Sequence, residues 1–96
     1  MAKRFTKISV DGNLIFMDPA AKQQIRKAMD KENVELDMSG VEFMDSMGVD
    51  LIYRLCRHVR AKNGSVRIKN VRPNVKEVMD LCSIGTIAEI SLKEEE

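Results

Sequence analysis

Aromatic side chains are scarce in this chain: three Phe, one Tyr and no Trp among 96 residues. The interior must be filled by aliphatic residues and by seven Met. Stacking of exposed bases on interleaved aromatics, the usual basis of single-strand binding, has no platform here. There is one histidine, His58, which cannot build a triad without a paired nucleophile. Cys56 and Cys82 are far apart and belong to no Cys-x-x-Cys pair, so with one histidine they make no zinc site. Both fall at apolar helical positions and read as buried free thiols. A Gly-rich phosphate loop ending in Lys is missing, which removes the case for intrinsic nucleotide hydrolysis. Asp11-Gly12-Asn13 looks like part of a calcium loop but lacks a terminal Glu at the right spacing, and a turn is the better reading.

Charge of one sign is also lacking. Sixteen Lys and Arg face fifteen Asp and Glu, a formal charge of +1, so no overall field draws nucleic acid or an anionic membrane. The basic run Arg54, Arg57, Arg60 and Lys62, with His58 beside it, reads as a solvated helix face. No apolar run approaches the ~18 residues of a membrane span. Met1 to Thr6 has no apolar core of the signal-peptide kind, and the cytoplasm is the expected location. There is no internal repeat, low-complexity segment or linker. The 44% hydrophobic content places the chain among ordinary globular domains, and its length suits one domain over residues 1–96.

Phe5 to Val10 alternates and ends at Asp11-Gly12, a hairpin signal, with Asn13 to Met17 as the return strand. Asp18-Pro19 starts a helix, the aspartate as N-cap and the proline at the first helical position. Its buried stripe is Ala21, Ile25, Ala28 and Met29. Val34 to Met38 is a third strand. After Ser46 a helix carries Ile52, Leu55, Cys56 and Val59 inward and Asp50, Arg54, Arg57 and Arg60 outward. Asn63-Gly64 closes it with a residue suited to the left-handed conformation. Ser65 to Val71 is a fourth strand. Pro73 opens a helix with Val75, Val78, Met79 and Cys82 inside, and Thr86 to Leu92 is the last strand. The pattern implies a small α/β single domain: a mostly parallel mixed β-sheet opened by an antiparallel hairpin, with helices following strands two, three and four.

The most informative segment is Phe43-Met44-Asp45-Ser46-Met47-Gly48-Val49. It puts a hydroxyl, flanked by a carboxylate, where a helix offers unpaired N–H groups. A serine there is ordinarily a plain N-cap worth about 1 kcal/mol. Three features favour a functional role as well. Asp45 could orient the hydroxyl. Gly48 lets another backbone come close. Phe43, Met44 and Met47 supply apolar bulk, and Met44, Met47 and Leu51 are expected to form a partly exposed docking patch.

This segment, with the order of elements, Asn63-Gly64, and Pro73-x-Val75-x-x-Val78-Met79-x-Leu81-x-x-Ile84, resembles the STAS family, in particular the bacterial anti-sigma factor antagonists. The resemblance runs through nearly the whole chain from the second strand. It implies a non-enzymatic protein whose Ser46 is phosphorylated by a partner that is both serine kinase and anti-sigma factor. It implies that the dephosphorylated form binds this partner and so frees a sigma factor; Asp45, Met44, Met47, Gly48 and Leu51 are the contact residues expected from the segment itself. Phosphorylation then ends the association, and a PP2C-type phosphatase resets it. No cofactor or metal is implied, and no direct contact with nucleic acid. Departures from the family pattern are Met47 where Ser or Thr is common, Asp50 where a small or apolar residue is usual, and Gly12-Asn13-Leu14-Ile15, which lacks two frequent acids. Only Leu92 to Glu96 remains for a C-terminal helix, expected to be short or absent. The rival readings are a STAS scaffold subunit of a transport or stress-sensing complex, with Ser46 a mere cap, and a small-ligand enzyme domain, which the poverty of catalytic residues disfavours.

Overall fold

The computed structural model of the chain describes residues 4–10, 12–13 and 19–92. Among them four strands form one sheet: β1 (Thr6–Ser9), β2 (Val34–Asp37), β3 (Val66–Val71) and β4 (Glu89–Leu92), in the order β1-β2-β3-β4. Each neighbouring pair is parallel. Parallel neighbours cannot share a tight turn, and the crossovers are made by α1 (Pro19–Ala28), α2 (Ser46–Ala61) and α3 (Pro73–Leu81). Right-handed crossovers taken in this order set the helices against one face of the sheet. The parallel α/β expectation therefore holds. Gly12 has φ 98°, the left-handed geometry a turn after β1 needs. The return strand expected over Asn13 to Met17, apart from Asn13 itself, and the Asp18 cap fall on residues 14–18, which lie outside the described residues.

Alternation gives the sheet two unlike faces. Val34, Leu36, Val66 and Ile68 point to the helices and are almost completely buried. Their neighbours point the other way. Lys7, Glu35, Arg67 and Glu89 stand in one row across four strands, so the charge changes sign at each step. Arg67 Nε lies 3.4 Å from Glu89 and its guanidinium sits over the Phe5 ring at 4.1 Å, while Lys69 Nζ reaches Glu35 at 3.1 Å. Opposite charges on adjacent strands stabilise pairing and disfavour a slipped register. At the start of the sheet the buried Asn33 joins three strands: its Oδ1 accepts the Ser65 N–H, its Nδ2 donates to Arg4 O, and its carbonyl accepts the Thr6 N–H.

Ile52, Leu55, Cys56 and Val59 of α2 are buried at the expected helical spacing, against Ile25 and Ala28 of α1. The basic residues outside have local partners. Arg54 pairs with Asp50 at 2.9 Å, Arg57 lies over Tyr53, and Lys62 Nζ donates to Met29 O. The helix ends as its sequence suggests: Asn63 has φ 64°, Gly64 N–H donates to Val59 O and Asn63 N–H to Arg60 O, the two bonds of a Schellman cap. Gly64 is required by space, because a Cβ there would collide with the Glu32 carbonyl oxygen and with Val59 Cγ1.

Two expectations near the C-terminal end need correction. Cys82 is exposed, not inside. Helix α3 begins at Pro73 and buries Val75 and Met79, but it stops at Leu81; Cys82 is its C-cap, already off helical geometry at φ −102° and ψ 9°, and Ser83 turns left-handed after it at φ 58°, so Cys82 does not follow Met79 inward. The last strand starts at Glu89, not Thr86, because Ile84–Thr86 forms a turn of 3-10 helix that buries Ile84 first. Met29 and Val78, expected in the core, are half-buried at its edge. No described helix is long and apolar enough to cross a membrane.

Candidate functional site

The segment from Met38 to Asp45 leaves the carboxyl end of β2 and delivers the chain to the first turn of α2. Asp37 Oδ1 accepts the Ser39 N–H at 3.0 Å, which starts the turn. Val41 and Met44 drop into the core, Val41 completely and Met44 to 8% exposure. Residues between them face outward, Phe43 with 59% of its surface exposed.

The cap of α2 is Asp45. Its backbone is extended, at φ −108° and ψ −176°, and its Oδ1 accepts the N–H groups of Met47 at 3.0 Å and Gly48 at 3.1 Å. Its carbonyl accepts the Val49 N–H, the first full bond of the helix. Ser46 is therefore the first helical residue and not the N-cap, which corrects the plain-cap expectation. Its side chain is exposed and takes no part in capping. An aspartate in this place also complements the positive end of the helix dipole. The hydroxyl one residue later is left at the surface, beside the Asp45 carboxylate and at the positive end of the helix.

Of the expected apolar docking residues Met44, Met47 and Leu51, the structure brings only Met47 to the surface, 48% exposed, and Asp45 is half-buried. Met44 and Leu51 are each 8% exposed and belong to the core, and Gly48 is buried. Leu51 follows Met47 by four positions, yet the sheet-facing side of α2 is wide enough to include it with Ile52 and Leu55. The exposed apolar pair flanking Ser46 in sequence is thus Phe43 and Met47. Asp50 lies one turn beyond Ser46, in an ion pair with Arg54.

Sequence reasoning missed other members of the site. A shallow cavity of about 230 Å³ beside Ser46 is lined by Val49, Asp50, Tyr53, Cys82 and Ile84. It joins the start of α2 to the turn after α3. Tyr53 stands two turns from Asp45, but nothing in the sequence places Cys82 and Ile84 there. Asn13, expected at the turn and at the start of the return strand, accepts through its Oδ1 the N–H groups of Glu42 at 2.9 Å and Phe43 at 3.1 Å.

The description of the STAS domain matches residues 2–96, and the chain belongs to the STAS family. Solved structures share the fold. A candidate anti-sigma factor antagonist from Thermotoga maritima is 17% identical, with a TM-score of 0.71 over 92% of this chain and 82% of its own. An anti-sigma-factor antagonist (STAS) domain protein from Planctomyces limnophilus is 19% identical, with a TM-score of 0.71 over 94% and 84%. The anti-sigma factor antagonist SpoIIAA in its unphosphorylated form is 23% identical, with a TM-score of 0.63 over 99% and 86%. No curated protein matches the chain.

Proposed function

We propose that this STAS domain is an anti-sigma factor antagonist that binds a kinase and anti-sigma factor through the surface around Ser46, and is released when Ser46 is phosphorylated. The observation that carries the reading is the division of labour at the head of α2: Asp45 takes both cap bonds, and Ser46 stands exposed, flanked in sequence by the exposed Phe43 and Met47. The names of the three structural relatives point the same way.

The chemistry suits a reversible charge switch. A phosphate adds about −1.5 to −2 charges. Within the free domain the helix N-terminus offsets part of that charge, and Arg54 holds Asp50 in an ion pair one turn away. Against a partner docked on Phe43 and Met47 the same phosphate would be pressed into an apolar contact beside Asp45. Desolvation and like-charge repulsion of about 2–3 kcal/mol correspond to a roughly thirty- to hundred-and-fiftyfold loss of affinity. The domain itself does no chemistry; the partner supplies the kinase, and a PP2C-type phosphatase restores the binding form. Incubating the chain with its cognate anti-sigma factor and ATP, followed by peptide mapping, tests the assignment. Phosphate on Ser46 is the expected result. No phosphate on the chain, or phosphate elsewhere, would favour a scaffold role for the domain.

A further inference from the structure

Both backbone polar groups of Glu42 are held by side chains of asparagines far away in sequence. Its N–H donates to Asn13 Oδ1 at 2.9 Å, and its carbonyl accepts from Asn74 Nδ2 at 2.7 Å. The same Asn13 oxygen accepts the Phe43 N–H at 3.1 Å. The amide orientations are forced: a backbone N–H can only donate and a carbonyl can only accept. Asn13 must therefore present oxygen and Asn74 nitrogen. Arg72 adds a third tie, from Nη2 to Ser39 O at 3.3 Å.

We infer that Asn13 and Asn74 are positioning residues for the switch surface, fixing the Glu42–Phe43 peptide and with it the direction in which Phe43 is presented. The inference rests on the proposed function. Phe43 is largely exposed, so packing alone does little to fix it, and an exposed loop would ordinarily sample several conformations. Two side-chain clamps on one residue remove that freedom before a partner arrives. Ordering that is already in place need not be supplied on binding. Neither asparagine belongs to the Asp45-Ser46-Met47 segment, so their effect is on docking and not on the acceptor hydroxyl.

The two positions answer the same substitution in opposite ways. Asn13→Asp keeps an acceptor for both N–H groups, whereas Asn13→Leu removes it. Asn74→Asp sets a carboxylate oxygen against the Glu42 carbonyl. Because Asn74 is the second residue of α3, an acid there also suits the helix dipole and preserves the fold. Amide hydrogen exchange of wild type and the Asn13 variants reads the clamp with no partner present. Phosphorylation of all four proteins by the purified anti-sigma factor and ATP reads its consequence. Asn13→Leu should exchange the Glu42 and Phe43 amides roughly three- to tenfold faster, as for a lost hydrogen bond. Asn13→Leu and Asn74→Asp should raise KM by a similar factor with kcat unchanged, and Asn13→Asp should match wild type in both assays. Unchanged exchange in Asn13→Leu, an unchanged KM, or equal damage from aspartate at both positions would overturn the inference. Failure of wild type itself to accept phosphate would strike the proposed function instead, and the exchange result would still report on the clamp.

Discussion

Asp45 Oδ1 accepts the Gly48 N–H at 3.1 Å, and with the Met47 bond this makes the aspartate the cap of α2 in place of the serine that follows it. The two side chains at the head of the helix thereby have separate tasks. Asp45→Ala should lose about 0.5–2 kcal/mol of folding stability. Ser46→Ala should stay within about 0.5 kcal/mol of wild type, as at other exposed sites. Urea unfolding of the two variants checks this; the reverse order would return the cap to Ser46.

The apolar residues near Ser46 should divide sharply by burial. Met44→Ala and Leu51→Ala remove packed atoms and are expected to cost about 2–5 kcal/mol, as is Ile52→Ala. Met47→Lys and Phe43→Ser alter exposed side chains and should leave the melting temperature nearly unchanged while weakening partner binding. A large loss of stability in Met47→Lys would place it in the core and leave Phe43 alone at the surface.

The two cysteines offer a partner-free check of the fold. Burial pushes the Cys56 thiol from 9.0 up to about 11, against the opposing charge of Arg60. A folded-state value above the unfolded one means that the contribution is complete below pH 9 and is lost as pH rises towards 11. Stability should fall across that window, and Cys56→Ala should lack this part of the decline. Cys82, being exposed, should react with a thiol reagent in the native state, whereas Cys56 should react only on unfolding.

Gly64→Ala should be strongly destabilising although its neighbour Asn63, not Gly64, holds the left-handed conformation. The new methyl would meet the Glu32 carbonyl and Val59, forcing α2 away from the loop before β2, at about 1–3 kcal/mol or more. A near-neutral result in thermal unfolding would show that the loop can move aside.

Much of the fold was legible because local patterns and tertiary needs agree. Alternation at Val34-Glu35-Leu36-Asp37 marked a strand, 3.6-residue spacing at Ile52, Leu55, Cys56 and Val59 marked a helix face, and Asn63-Gly64 and Pro73 marked its end and the next beginning. What escaped depended on chain direction or distance. Asp45 and Ser46 are both good capping residues, and the choice between them follows from the extended entry of the chain at Asp45. Cys82 continues the α3 stripe on paper, but the helix ends at Leu81 and Cys82 is its non-helical cap. Leu51 looked like a companion of Met47 because the width of the buried face cannot be read from one spacing. The Asn13 and Asn74 clamps join residues about thirty positions apart in sequence, which no local pattern encodes.

The most direct test of the switch is calorimetric titration of Ser46→Ala and Ser46→Asp against the cognate anti-sigma factor. Neither variant loses the Asp45 cap, so both should fold as wild type does, and aspartate at the first helical position gains slightly from the dipole. Ser46→Ala should bind like the unphosphorylated protein. Ser46→Asp should bind more weakly by roughly tenfold or more, through charge placed beside Asp45 and desolvated at the interface. Equal or better stability with worse binding is the predicted outcome; equal affinity of the two variants would contradict it.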